Sequence, residues 1–359
     1  MQPTLDDRES VRRGHQRRTV VELWNIDDGH VMDLPITDGS VTVSLSGSAG
    51  QRSGSLTVPG YGNWADLDPG NVTWVVVRQA VGTDWWTIAE LPVVRVVSRR
   101  PRGVVEVTLG DWSFRRSHPM SEAAVTIGGT GLTVASVCRA VMAGALGPGF
   151  TITRDDTAGA FCASPVNIQF GGSVWSSLTS LCNAVGAILT ITGRQSGQVR
   201  RFDPLAAAVD DLDGTVQSES IGVLGDEAFN RAVVQVDGEG ADGGSFRAMR
   251  TLTTGPYAFD QARFGLFAVT DSMRLPTATQ EVAETEAQRL FDRRVGVVRS
   301  CDVEVLSQPW LQAGDVVTFT PHVSGPYRGI IDSITYPLTA SGTMRIAMRD
   351  SLTLSRGVV

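Results

Sequence analysis

The sequence predicts a mainly β protein with α+β insertions, and three observations carry that prediction. From about Arg18 to Arg115, short apolar or alternating stretches are broken by Gly, Pro and Asp turns. Between about Ser117 and Asp213 an apolar period near 3.6 residues takes over. From Ala228 onward short β-rich stretches return, interrupted once by a helical pattern. Many short strands of this kind argue for β-barrels or sandwiches.

Taken in order, Thr19 to Trp24 is β-rich, and Val41, Val43 and Leu45 alternate with Thr42 and Ser44. A Gly/Ser-rich connection is expected from Ser46 to Gly54, followed by a strand over Ser55 to Val58. Val72 to Gln79, Val93 to Val97 and Val104 to Leu109 read as strands with few polar residues. After Ser117, Ala124 to Ile127 reads as a strand leading through Gly128, Gly129, Thr130 and Gly131 into a helix. Thr133 is its N-cap, and Val134, Val137, Cys138, Val141 and Met142 form one apolar face that Gly147 and Pro148 end. A second helix starts near Ser173 with Val174, Trp175, Leu178, Leu181, Cys182 and Val185 inward, then runs into a hairpin, Ile188 to Thr192 and Gln198 to Phe202. Further on, Asn230 to Val236 and Phe246 to Thr251 flank a glycine-rich loop, Gly238 to Gly244. Ala278 to Arg293 is helical, with Thr277 and Gln280 matching a capping box and Glu286 spaced to pair with Arg289. Val297 to Leu306, Val316 to Phe319, Gly329 to Tyr336 and Thr343 to Arg349 close the chain as strands, with a turn at Pro309 to Asp315.

Composition narrows the function. The chain has 359 residues, 42% hydrophobic and 19% charged, as in packed globular proteins rather than disordered ones. No run of about 18 apolar residues offers a membrane span, so no membrane insertion is expected. Met1 to Ser10 lacks the apolar core of a signal peptide, so folding in the cytoplasm of the producing cell is expected. All 31 basic residues are arginine, consistent with a GC-rich genome. Without lysine there is no Walker phosphate loop, no Schiff-base chemistry and no Ser-x-x-Lys hydrolase. Net charge is −7 and the arginines are scattered except for Arg8, Arg12, Arg13, Arg17 and Arg18, which read as a solvated or interface arm. Specific nucleic-acid binding, which needs a concentrated basic face, is not expected.

The candidate chemical sites each have a simpler reading. Cys138, Cys162, Cys182 and Cys301 have no Cys-x-x-Cys or zinc spacing; Cys138 and Cys182 read as core residues, and no disulfide framework is expected. His15, His30, His118 and His322 are dispersed beside turn residues. Gly128 to Gly131 lacks the third glycine of a dinucleotide loop. Asp210, Asp211, Asp213 and Gly214 resemble half a calcium loop, but Glu219 comes two positions early, so a solvated acidic loop is expected. Asp155–Asp156 and Asp226–Glu227 are adjacent turn acids, and no pair stands out for glycosidase work. No Gly-x-Ser-x-Gly elbow occurs. The expectation is therefore no catalytic, cofactor-binding or metal residue and no cofactor: not an enzyme.

A family resemblance then enters through the second half. "AFNRAVVQVDGEG" (Ala228 to Gly240), "GPYAFDQARFG" with "ATQEVAETEAQRLFDRR", "QPWLQAGDVVTF", "YRGIIDSITYPL" and "TMRIAMRDS" resemble segments of the tail-hub, or baseplate hub, proteins of tailed phages, particularly minor tail proteins of siphophages infecting GC-rich actinobacteria. The order of elements along the chain fits as well. The resemblance implies two tail-tube-like β-barrel domains, 1–116 and 216–255 with 295–359. It also implies a small α+β domain, 117–215, and an inserted helical segment, 256–294. It implies a structural role in a virion tail tip assembled in the bacterial cytoplasm. A homotrimeric ring would contact the distal tail protein, the tape-measure protein and tip or receptor-binding proteins, with DNA passing its acidic lumen during ejection. Some hubs carry a lytic or fibre extension; the sequence runs about ten residues past its last strand to Val359, and none is expected. Two alternatives stay open. One is a tail-associated cell-wall hydrolase. The other is a carbohydrate- or receptor-binding component, because Trp24, Trp64, Trp74, Trp85, Trp86 and Trp112 concentrate in the first third. Trp74 is expected to be buried and Trp64 exposed.

Overall fold

In a computed structural model of the chain, the fold is described for residues 8, 11, 17–26, 29–46, 49–60, 64–99, 103–113, 125–127, 131–146, 149–157, 160, 162, 166–168, 173–201, 203, 206–238, 244–253, 258, 268–275, 278–294, 296–322, 325–339 and 342–350. Seven strands come first: β1 (Arg18–Asn25), β2 (Gly29–Asp33), β3 (Asp38–Ser46), β4 (Ala49–Pro59), β5 (Trp74–Val81), β6 (Asp84–Arg99) and β7 (Val104–Leu109). A mixed stretch follows: β8 (Val125–Ile127), α1 (Val134–Leu146), β9 (Thr151–Asp155), β10 (Val166–Ile168), α2 (Val174–Ala184), β11 (Ala187–Gly193) and β12 (Ser196–Arg201). Then come β13 (Asp210–Asp211), β14 (Val216–Phe229), β15 (Arg231–Gly238), β16 (Ser245–Thr251), β17 (Ala268–Leu275), α3 (Gln280–Arg294), β18 (Gly296–Val305), β19 (Val316–Phe319), β20 (Tyr327–Pro337) and β21 (Met344–Asp350). The protein is mostly β, as its patterning predicts.

Alternation decides which face each strand buries. In β3, Val41 and Val43 are buried while Thr42 and Ser44 are half-exposed. β5 is buried on both sides over Trp74–Val77, which is why its sequence runs apolar without alternating. The connection expected from Ser46 to Gly54 is mostly strand, because β4 begins at Ala49. Its glycines serve close approach rather than a loop: a Cβ on Gly50 would collide with Thr190 of β11, where β4 and β11 pair in parallel.

The helices sit as predicted. The Thr133 hydroxyl accepts the Ser136 N–H at 3.2 Å and caps α1. Val134, Val137, Cys138 and Met142 are buried, packed with Trp175, Leu178 and Cys182 of α2 against β11 and β12. That cluster also contains Trp74, Val76 and Trp112, so the helical region shares its core with the first strands.

Beyond β14 the hydrogen bonding departs from the expected grouping. β14, β18, β21 and β20 pair in sequence, and β20 then pairs antiparallel with β3, Thr335 opposite Thr42 and Ile334 opposite Val43. One sixteen-stranded sheet therefore joins the two ends of the chain. Among the described residues its strands trace an open path, not two closed barrels. β3 uses one edge for β4 and the other for β20, which leaves no edge with which the first strands could close on themselves. β15 and β16, expected with the final strands, instead form a three-stranded sheet with β17, itself inside the segment expected to be helical. Val234, Val236 and Ala248 of this small sheet pack on Ala283 and Ala287 of α3.

The capping box is also corrected. Thr277 lies outside the described residues, and the Thr279 hydroxyl accepts the Val282 N–H at 3.2 Å. Gln280 is the first helical residue rather than the third, so its side chain reaches forward to Glu284 at 3.2 Å instead of back to the cap. Glu286 pairs with Arg289 as its spacing predicts.

Candidate functional site

Apart from Cys138 and Cys182, whose sulfurs meet, the described acids singled out for chemistry are held as acceptors or ion-pair partners within the protein. Asp210–Asp213 is not a solvated loop: β13 pairs in parallel with β19. The Trp310 indole N–H donates to Asp210 at 2.8 Å, and the Asp210 carboxylate lies 3.6 Å from Arg8. Asp213 accepts the Thr320 N–H at 2.7 Å and its hydroxyl at 3.0 Å. Glu219 accepts the His322 N–H at 2.8 Å. Asp210 is buried in its paired strand, while the half-exposed Asp213 and Glu219 are held as acceptors by distant backbone N–H groups. His30 meets Asp33 at 3.1 Å and the edge of Trp24. Asp155 accepts the Thr157 N–H at 2.9 Å, while Asp156 pairs with Arg154 at 2.9 Å. His15, His118, Gly128, Gly129, Thr130 and the side chains of Asp226 and Glu227 lie outside the described residues. Among the described residues no three His, Cys, Asp or Glu side chains converge to hold a metal ion.

The three described N-terminal arginines each take a separate partner. Arg8 donates to the Val209 carbonyl at 2.9 Å, Arg17 to the carbonyls of Thr339 and Gly342, and Arg18 lies 5.6 Å over the Trp85 ring. Arg12 and Arg13 fall outside the described residues. The tryptophans are mainly internal. Trp24 stacks on Trp74, Trp74 meets Trp112 edge-on, and Arg194 lies 4.9 Å over Trp74. Trp74, Trp86 and Trp112 are buried, whereas Trp85 is 41% exposed. The side chain of Trp64 lies outside the described residues.

Pattern reading missed a buried polar junction where three parts of the chain meet. The Arg52 N–H donates to Asp111 at 2.9 Å, and its guanidinium donates to the carbonyls of Ile88 at 3.1 Å and Thr192 at 3.3 Å. The Glu90 carboxylate accepts the Arg194 N–H at 3.0 Å. Arg200 reaches Gln312 at 3.1 Å and Asp315 at 2.5 Å, and Asp315 accepts the Gln312 N–H at 2.8 Å. Nearby, the Tyr336 hydroxyl donates to the Leu311 carbonyl at 2.5 Å. Burial lowers the Arg52 pKa, opposed by the field of Asp111, and burial raises those of Glu90, Asp111 and Tyr336. One signal was available: Arg52 shares strand parity with Leu56 and Val58, so it points inward.

The opposite face of the same sheet is a carpet of short hydroxyl side chains. Register places Ser218, Glu304, Arg345, Thr335, Thr42 and Ser53 in one row across six strands. A parallel row holds Ser220, Asp302, Ala347, Ser333, Ser44 and Gln51. Thr42 and Thr335 touch through their hydroxyls at 3.1 Å. Arg345 is paired with Glu304 at 2.9 Å and Arg349 with Asp332 at 3.1 Å. A groove of about 460 Å3 runs over this face, lined in part by Ser218, Ser220, Asp302, Glu304, Thr335 and Arg345. Each of these two arginines faces a carboxylate.

No family model and no curated protein matches the sequence. Solved structures do share the fold. A tail protein from Neisseria meningitidis MC58 superposes with a TM-score of 0.66 at 12% identity, over 94% of this chain and 98% of that one. The 43 kDa tail protein of prophage MuSo2 from Shewanella oneidensis gives 0.62 at 14% identity, over 93% and 99%. Prophage tail protein gp18 from Listeria monocytogenes gives 0.58 at 11% identity, over 92% and 94%. Across nearly its whole length, the chain thus has the fold of phage and prophage tail proteins.

Proposed function

We propose that the protein is a non-enzymatic structural subunit of a phage tail tip, a hub that joins the tail tube to the parts below it. The observation that carries this reading is the fold shared with tail proteins over more than nine-tenths of the chain. In the proposed assembly three copies form a ring in the virion, built in the host cytoplasm, that touches the distal tail protein, the tape-measure protein and the tip or receptor-binding proteins. Two tube-like wall segments come from 18–109 and from 216–229 with 296–350, and a ring of copies supplies the closure that one copy lacks. The α+β region within 117–215 and the small sheet with α3 flank that wall.

The hydroxyl-rich face is proposed to line the lumen. A polyanion binds where Lys and Arg displace its counterions, and this face presents Ser, Thr and paired arginines instead. DNA would slide along it without being held. The sugar-binding alternative is weakened because Trp24, Trp74 and Trp112 pack on one another, and among the described tryptophans Trp85 is the exposed ring.

Electron microscopy of the purified protein, with immunolabelling of virions, tests the hub. Three-fold rings with an open centre and label at the tail tip support it; closed dimers without a channel overturn it. Asp302→Arg and Ser53→Arg in assembled particles test the lumen: slower DNA ejection is expected, and unchanged ejection kinetics would count against it.

A further inference from the structure

Two of the four cysteines face each other between α1 and α2. Cys138 on α1 and Cys182 on α2 are both 0% exposed, and their sulfurs lie 3.6 Å apart. Cys162, 5% exposed, belongs to the same apolar cluster. All are free thiols. The pair is 44 residues apart in sequence, so tertiary packing rather than local chain geometry brings the sulfurs together. A disulfide holds its sulfurs about 2.05 Å apart, so closure requires an approach of about 1.5 Å.

We infer that Cys138 and Cys182 are an oxidatively closable pair, which a small neutral two-electron oxidant such as hydrogen peroxide converts into a disulfide joining α1 to α2. This modification site stands on the packing of the two helices, whether or not the chain works in a tail tip. In the first step one sulfur attacks a peroxide oxygen; the O–O bond breaks, an S–O bond forms, and the released hydroxide takes the thiol proton to become water. In the second step the other sulfur attacks the sulfenic sulfur; the S–O bond breaks, the S–S bond forms, and a second water leaves with the remaining thiol proton. Two thiols thereby lose two electrons and two protons to one peroxide, giving a disulfide and two waters. The hydrogen bond with Cys138, and then burial, hold the Cys182 thiol well above its ordinary pKa. Thiolate is therefore scarce, and closure is slow compared with that of exposed cysteines. The bond would restrict the unfolded chain between the two cysteines and stiffen the core that carries the tryptophan ladder.

The test treats the purified full chain with excess hydrogen peroxide, alkylates it in denaturant, and maps unreduced peptides by mass spectrometry. The expected result is an intramolecular peptide pair containing Cys138 and Cys182, lighter by two hydrogens. It should reverse with dithiothreitol and come with a Tm higher by a few degrees. Cys162→Ala should keep the link and Cys138→Ser should lose it; if the serine variant fails to fold, the wild-type peptide map alone decides. A link through Cys162, a link between two chains, sulfinic acid without a link, or no mass change after hours would each overturn the inference.

Discussion

The sixteen-stranded sheet and the three-stranded sheet bury their faces with different materials. The large sheet fills its interior with branched and aromatic side chains, among them Leu56, Val107, Phe319, Ile334 and Ile346. It also encloses the Arg52 guanidinium, held by the Ile88 and Thr192 carbonyls, and the Asp111 carboxylate, held by the Arg52 backbone N–H. The small sheet presents Val234, Val236 and Ala248 to Ala283 and Ala287 of α3, with Phe291 in a neighbouring cluster. Alanines let a helix lie close to a sheet, but each removes little apolar area from water, and buried area sets the stabilisation at about 25 cal/mol per Å2. From this contrast the two ends of the chain are expected to open as one cooperative body, and the small sheet with α3 at lower free energy.

The largest expected effect is on the charged junction of the large sheet. Arg52→Met should destabilise the protein by about 3–5 kcal/mol in urea unfolding, because the buried carbonyls of Ile88 and Thr192 lose their donor and Asp111 loses a nearby positive charge. Adding Asp111→Asn should recover part of that loss; full independence of the two changes would show that they do not act as a pair. Ile334→Ala, at the register point where β20 meets β3 and β21, should cost about 3 kcal/mol. A loss under about 1 kcal/mol would mean the seam between the two ends is soft, and the comparison would fail.

A smaller and more local effect is expected in the other region. Thr279→Ala removes the cap of α3 and should cost about 1 kcal/mol. Amide exchange should quicken in β15 and α3 and stay unchanged in β20. Exchange quickening equally in both sheets would mean that the chain opens as one unit.

The last prediction separates the regions by pH. Burial raises the carboxyl pKa values of Glu90 and Asp111, so the folded state keeps these protons at pH values where the unfolded chain has released them. Over that window, from the ordinary carboxylate range near pH 4 up to the raised values, unfolding free energy falls as pH rises. Glu90→Gln should flatten that slope in urea titrations between pH 4 and 7 while leaving exchange in the small sheet unaffected. A slope unchanged by the substitution would assign the pH dependence elsewhere.

Legibility tracked how local each signal was. The alternation of Val41, Thr42, Val43 and Ser44 and the helical faces through Val137, Cys138 and Met142 were readable because side-chain direction repeats within a few residues. β14 and β17 were not anticipated: β14 carries polar and glycine residues at an open edge, and Thr270, Asp271 and Ser272 of β17 are exposed, so neither shows apolar alternation. The Asp210 stretch looked solvated because its partners, Trp310 and Arg8, lie about one and two hundred residues away.

By itself, then, the sequence determined the mainly β class, the two helices of the middle region, the first with its cap at Thr133, and the lack of lysine-dependent chemistry. Tertiary structure alone decided that β3 pairs with β20, that the Arg52 N–H meets Asp111, and that outward residues of six strands, Ser and Thr on four of them, line up as one surface. Periodicity says which way a side chain points. Which strand lies beside it depends on loop closures and register across hundreds of residues, and no local pattern encodes that choice.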